Sequence, residues 1–271
     1  MSDLYIIAAG KGSRMGGSIP KALVPLAGQP NLTTTLQQIG HKFDNVFVVT
    51  NVEVQEPWKK YFKQLKKEFP ELAEMVTNIP IYSGRGDGHA VMMGLGRICA
   101  MEHNLELSDD VVIAWGDVFF PDERIIDELL GFTHINMGII PVVEEERPYV
   151  GLHVERNGTV THATFSKHGE NTAGGSHDQS VFRFKRIPLL QSLHVMDAVL
   201  DKDGKYITPG NEMSLLHVFH YVANTTQGSR PEIVAYDTKY PTLSFNTVEE
   251  VAAIQQEIDE KWKHKFRNDQ S

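Results

Sequence analysis

Residues 4–30, LYIIAAGKGSRMGGSIPKALVPLAGQP, decide the fold. Leu4, Tyr5, Ile6, Ile7 and Ala8 form a short apolar run closed by turn residues, the pattern of a central strand covered on both faces of a parallel sheet. The composition then changes abruptly. Gly10, Gly12, Gly16 and Gly17 permit positive φ and bring backbone N–H groups close to a ligand, as an anion-binding nest requires. Arg14 and Lys21 add positive charge, and Pro20 stiffens the chain just before Lys21. The stretch reads as a buried strand running into a phosphate-binding loop.

Two better-known loops fit less well. A dinucleotide-binding turn also follows a first strand with glycines, but it pairs with an acidic residue at the end of the second strand. Here the second strand, 46–49, ends in Thr50 and Asn51. A P-loop of the kinase or GTPase type closes in Gly-Lys-Ser or Gly-Lys-Thr, and neither follows these glycines.

Working outward, 271 residues with 41% hydrophobic composition suffice for one large α/β domain. A net charge of −9 and a pI near 5.7 argue against binding nucleic acid polymers, though local cations can still hold a nucleotide. Cys99 is the single cysteine, so a reducing cytoplasm is the expected setting. Met1-Ser2-Asp3 leads straight into the first strand, so no signal leader is expected, and no apolar run in these residues reaches membrane length.

Along the chain, 32–39 and 57–69 read as helices and 79–82 as a strand. Gly86-Asp87-Gly88-His89 then forms a second glycine-rich turn opening a helix. Two such turns after parallel strands point to one crevice beyond the strands' carboxyl ends. Asp87 has two readings: a carboxylate accepting from a nucleobase amine, or the cap of the following helix. His89 is a packing residue. Residues 111–115 are the clearest buried strand after the first and end in Gly116-Asp117. A carboxylate desolvated at the mouth of the crevice needs a partner, and beside a triphosphate a divalent cation supplies it. Strands follow at 137–143, 151–155 and 160–165, then a polar loop at 168–178 that reads as a mobile flap over an acceptor or as an exposed connection, helices at 186–200 and 211–223, and late strands at 233–236 and 242–245. A long helix follows Asn246-Thr247, and a polar tail at 261–271 is expected to fray. Asp201 and Asp203 lie in a turn lacking the spacing and closing glutamate of a calcium loop. His217 and His220 share a helix face, with no third ligand nearby.

The series Ala8-Ala9-Gly10-x-Gly12-Ser13-Arg14-Met15, then Pro20-Lys21, then Leu26-x-Gly28-x-Pro30 closely resembles the opening of the nucleotidyltransferases that make nucleotide-sugars, N-acetylglucosamine-1-phosphate uridylyltransferases above all, and the related MobA-like NTP transferases. The resemblance implies a Rossmann-like, doubly wound mixed α/β sheet of the nucleotide-diphospho-sugar transferase (glycosyltransferase-A-like) fold. It also implies a single domain with an NTP-binding half at 1–135, an acceptor-binding half at 136–260 and the tail.

The reaction it implies is Mg²⁺-dependent transfer of NMP from an NTP to a sugar phosphate, with pyrophosphate leaving. Ala8, Ala9, Gly10, Gly12 and Ser13 would wrap the phosphates, and Arg14 and Lys21 would contact them. Gly86, Asp87 and Gly88 would lie at the base, and Asp117 with Asn246 would hold the metal. Gly151 and Lys167 would serve the acceptor, Lys167 on its phosphate. Three departures fall on the acceptor side or at the base: Asp87 replaces a threonine, a sugar-contacting Glu is missing near Lys167, and Gln179-Ser180 stands where Asn-Thr-Gly is expected. They leave open a non-sugar acceptor (phosphocholine, a polyol phosphate or molybdopterin) and a nucleotide-binding regulatory protein without turnover.

Overall fold

A computed structural model of the chain describes residues 2–10, 12, 16, 19–82, 84–101, 105–224 and 232–268. The apolar runs at 4–8 and 111–115 form β1 (Ser2–Ile7) and β4 (Asp110–Trp115), with β2 (Val46–Asn51) and β3 (Val76–Ile81) beyond β1. These four strands are parallel, in spatial order β3-β2-β1-β4. Alternate side chains go to opposite faces. Tyr5, Phe47, Val49, Val111 and Ile113 join one core, and Leu4, Ile6, Val46, Val48, Val112 and Ala114 join the other. The first core is completed by α4 (Asp87–Cys99) and α6 (Arg186–Leu200), and the second by α1 (Asn31–Ile39), α2 (Gln55–Glu68) and α5 (Arg124–Gly131). A sheet covered on both faces explains why 4–7 of β1 and 111–115 of β4 run apolar instead of alternating with polar residues.

Beyond β4 the sheet becomes mixed. It continues through β5 (Gly138–Glu144), β6 (Val150–Val154), β7 (Val160–Phe165), β8 (Ser176–Asp178), β9 (Val181–Lys185) and β10 (Ile233–Asp237). The full order is β7-β6-β8-β5-β9-β4-β1-β2-β3, with β10 parallel to β5. The remaining helices are α3 (Pro70–Met75), α7 (Val218–Asn224) and α8 (Val248–Asn268). Among the described residues no helix is long and apolar enough to cross a membrane.

The structure corrects two expectations. The loop at 168–178 contains β8 and lies against the sheet: Thr172 is buried, and a Cβ on Gly175 would stand 2.6 Å from the Cα of Gly151. Residues 211–223 do not form one helix. The segment is extended at 212–214, makes one 3₁₀ turn over Leu215–His217 and only then enters α7. Residues 261–268 of the polar tail continue α8.

Candidate functional site

The two central strands end side by side, and the site begins where they end. Ala8 N–H donates to Val49 O at 2.9 Å, and Gly116 N–H donates to Ile7 O at 3.0 Å, so the loop after β1 and the turn after β4 leave the sheet together. Gly116 lets the two come close, since a Cβ would stand 3.0 Å from the Cβ atoms of both Ala8 and Ala22, which would have to give way by a few tenths of an ångström. Gly12 takes φ +64°, and a Cβ there would press to 2.9 Å of Ile19 O, so the loop folds back tightly toward Pro20. Asn51 explains the missing acid at the end of β2. It is buried, donates from Nδ2 to Ala9 O at 3.2 Å and accepts at Oδ1 from Glu53 N–H, so it holds the loop in place of a ribose.

Lys21 opens a 3₁₀ turn (Lys21–Leu23) directly after Pro20, and its ammonium reaches two acceptors. It donates to Asp117 Oδ2 at 2.8 Å and to Asn246 Oδ1 at 2.7 Å. Three segments separated by up to 225 residues thus meet at one atom. Neither Asp117 nor Asn246 is used as a helix cap. Asp122 accepts from Arg124 N–H at 3.0 Å at the start of α5. At α8, Thr247 and Glu250 form the reciprocal pair of a capping box, with Glu250 N–H to Thr247 Oγ1 at 3.2 Å and Thr247 N–H to Glu250 Oε2 at 3.0 Å. The Asn246 side chain is left to face Lys21.

Asn246 is delivered by the two-residue strand Leu243–Ser244, which pairs antiparallel with Val118–Phe119, and by Phe245 N–H donating to Asp117 O at 3.2 Å. A small apolar cluster of Leu26, Phe119, Phe245, Ile254 and Ile258 packs α8 beneath this ribbon. Gln179, one of the departures on the acceptor side, anchors the ribbon's approach: Thr242 N–H and hydroxyl donate to Gln179 Oε1 and O, each at 2.8 Å.

Two hard oxygens converging on one ammonium form a donor set that suits a divalent cation. Among the described residues no three His, Cys, Asp or Glu side chains gather into a cage. A cation held by Asp117 and Asn246 would have to complete its shell with phosphate oxygens and water, as Mg²⁺ commonly does.

At the second glycine-rich turn, Gly86 (φ +104°) is the N-cap of α4 and Asp87 its first residue. Asp87 does not cap its own helix. Its carboxylate accepts from Leu215 N–H at 2.6 Å and from Ser214 Oγ at 3.1 Å, and burial pushes its carboxyl up from the usual range against those two bonds. Gly86 and Gly88 are glycines for the same reason, since a Cβ on either would stand under 3 Å from the backbone of 213–215. Met213 N–H donates to Arg85 O at 2.8 Å, and Gly88 N–H donates to Met213 O at 2.9 Å. The other end of this strap reaches the acceptor side. Lys167, in the 3₁₀ turn Ser166–His168 after β7, pairs with Glu212 at 2.9 Å, and His217 sets its ring edge-on to Phe165 with centroids 5.1 Å apart. Residues 212–217 therefore join the turn after β3 to the turn after β7, a link that sequence reasoning missed because both partners are distant in the chain. Gly151 lies under the loop after β7, where a Cβ would meet Thr172 O at 2.8 Å. Arg14 and Ser13 lie outside the described residues.

His217 gives the strap a pH dependence. Its Nδ1 accepts from Ser214 N–H at 3.3 Å, which needs the neutral ring, and burial pulls its pKa from 6.5 to about 4, with Glu170 opposing and His168 and Lys167 assisting. Between those values the unfolded chain takes up the proton and the folded chain does not, so stability falls as pH drops from about 6.5 toward 4, by roughly 2–3 kcal/mol for this group. Burial pulls His89 and His162 the same way, while it pushes the Asp87 and Asp178 carboxyls up, which acts in the opposite sense. Comparing urea midpoints of wild type and His217→Asn from pH 7.5 to 4.5 isolates the imidazole: the variant is expected to lose less stability across the range, and parallel curves would contradict the assignment.

Comparison with known proteins agrees with this architecture. Bifunctional protein GlmU of Thermotoga petrophila is 31% identical over 125 residues, 46% of this chain and 24% of that protein, so the match spans about a quarter of the curated relative. The nucleoside-diphosphate-sugar pyrophosphorylase from Vibrio cholerae RC9 superposes with a TM-score of 0.69 at 12% identity, covering 94% of this chain and 99% of that one. The inositol-1-phosphate CTP transferase from T. maritima superposes at 0.65 and 13% identity, covering 96% and 97%. At such identities the two superpositions speak for the fold. Residues 4–192 match the MobA-like NTP transferase domain, and the chain belongs to that family.

Proposed function

We propose that the chain transfers a nucleoside monophosphate from an NTP to a small phosphomonoester, a sugar phosphate first among them, and releases pyrophosphate. The observation that carries this reading is the meeting of Lys21, Asp117 and Asn246 at the mouth of the two central strands. A module that merely binds a nucleotide has no need to bring an ammonium, a carboxylate and an amide oxygen from three distant segments to one point beside a glycine-rich loop. The names of the relatives and the family's chemistry point the same way. A cytoplasmic setting, with NTP at hand and Cys99 reduced, suits the reaction.

In this reading the N–H groups of Ala9, Gly10 and Gly12, with Ser13 and Arg14, take the triphosphate beside Ala8, whose own N–H is held by Val49 O, and Gly86 to Gly88 border the base. Asp117 and Asn246 would hold Mg²⁺, which would supply charge neutralisation for the phosphates. Lys21 is paired with Asp117 and would turn to the phosphates when NTP enters, where it would stabilise charge on the departing pyrophosphate. The acceptor phosphate is already an anion near neutral pH, so alignment replaces a general base. Lys167 leaves Glu212 to steer that phosphate.

The acceptor rests on Lys167 more than on Gly151, whose Cα face is covered by Thr172 and Gly175. For that reason polyol and choline phosphates belong in the same test as sugar phosphates. Pyrophosphate release with Mg²⁺ is measured across the four NTPs against this panel. Release with one NTP and one phosphomonoester is the expected result. No release with any pair, from protein that one NTP still stabilises in a melt, would favour a regulatory binding protein.

A further inference from the structure

We propose that Asn31 is a positioning residue for Asp117, a role that rests on the reading of Asp117 as a metal ligand. Asn31 is the first residue of α1 and is 1% exposed. Its Nδ2 donates to Gly116 O at 3.2 Å and to Val118 O at 2.8 Å, the two carbonyls that flank Asp117. Its own backbone N–H donates to Val24 O at 3.0 Å, and Val24 N–H returns to Lys21 O at 3.0 Å. One residue therefore ties the segment bearing Lys21 to the turn bearing Asp117.

The chemistry of the side chain fits this task narrowly. Two carbonyl acceptors on either side of one residue need two N–H bonds from one short arm, and a primary amide has both. Asn31 Oδ1 has no hydrogen-bond partner among the described residues, so the carboxamide is held by its donor side, and the reversed orientation would aim an oxygen at two carbonyls. Aspartate in its place would set a second carboxylate against the same carbonyls and close to Asp117. With Asn31 in place, the backbone around Asp117 is restrained at four groups: Gly116 N–H by Ile7, Gly116 O and Val118 O by Asn31, and Asp117 O by Phe245. The carboxylate then meets Lys21, and would meet a cation, from a restrained backbone.

The test uses Mn²⁺ alone as the probe, counted as free ion by electron paramagnetic resonance. Wild type, Asn31→Leu, Asn31→Ser, Asp117→Asn and the remote core variant Trp58→Phe are titrated well below their melting temperatures. Asn31→Leu is expected to weaken Mn²⁺ binding about tenfold, in the range seen when a group orienting a metal ligand is lost. Asn31→Ser moves the midpoint in the same direction, and it decides the question if the leucine variant fails to fold. A folded Asn31 variant with the wild-type midpoint, beside an Asp117→Asn chain that has lost binding, overturns the positioning role alone. An Asp117→Asn midpoint equal to wild type overturns the metal reading and the proposal with it. A Trp58→Phe shift as large as that of Asn31→Leu would reduce the effect to general loosening and also overturn it.

Discussion

Asp117→Ala is expected to lower turnover about 10²–10³-fold at saturating Mg²⁺, a loss of roughly 3–4 kcal/mol in the transition state, as for other fixed groups that face charge developing on phosphate or oxyanion oxygens. The carboxylate stands at the end of a central strand with its backbone tied on both sides, and its charge is already matched by Lys21 at 2.8 Å. Removing it takes away a fixed oxygen donor and also frees Lys21 from one of its two partners. The effects of the two residues are therefore coupled, and Lys21→Met combined with Asp117→Ala should cost less than the sum of the single losses. The Lys21 variant has a second signature. Without nucleotide, the ammonium competes with any cation for Asp117 and Asn246, so Lys21→Met should bind Mn²⁺ more tightly than wild type while turning over more slowly. Turnover of Asp117→Ala at the wild-type rate, or weaker Mn²⁺ binding by Lys21→Met, would contradict this arrangement.

What the chain discloses without its structure depends on whether a residue's partners lie near it in sequence. β1 and β4 are legible because both faces of each strand are covered, which leaves continuous apolar runs, and the glycines after β1 mark the loop by their number. Asp117 is legible because a carboxylate directly after such a run has to face the crevice. β9 is hidden in Val181-Phe-Arg-Phe-Lys, because Arg183 interrupts the apolar pattern and only the distant Asp110 explains how a guanidinium can be buried there. The segment 211–223 has helical spacing, but Gly86, Gly88 and the Asp87 side chain hold 213–214 extended and fix the start of the 3₁₀ turn through contacts more than 120 residues away in sequence. That same distance hid the partner of Asp87, which neither of its two local readings contained. Asn31 follows Pro30 in what reads as an ordinary helix start, and nothing local reports the two carbonyls it holds.

The buried charge in β9 yields the largest expected effect on stability: Arg183→Met should lower the unfolding free energy by about 3–5 kcal/mol. Arg183 lies in the middle of the sheet, opposite Val112 of β4 and Ile139 of β5. Its Nε donates to Asp110 Oδ2 at 3.1 Å and its Nη2 to the same oxygen. Nη1 donates to Leu129 O, Leu130 O and Phe132 O at 3.1, 3.2 and 2.8 Å. Those carbonyls form the C-terminal end of α5, where the helix dipole favours a cation. Methionine fills a similar volume but leaves these acceptors without their donor and Asp110 with Lys185 alone. The double variant Arg183→Met with Asp110→Leu removes both buried charges, so it should recover part of the loss even though Lys185 gives up its partner at the half-exposed edge. Urea unfolding of the four proteins gives the cycle, and a loss below about 1 kcal/mol for Arg183→Met would place the pair among ion pairs of no consequence. Catalysis should respond differently. Arg183 touches no residue of the Lys21, Asp117 and Asn246 cluster, so activity per folded molecule, measured well below the variant's melting temperature, should stay near wild type. A fall in both would mean that β9 transmits its register through β4 to the Gly116–Val118 turn.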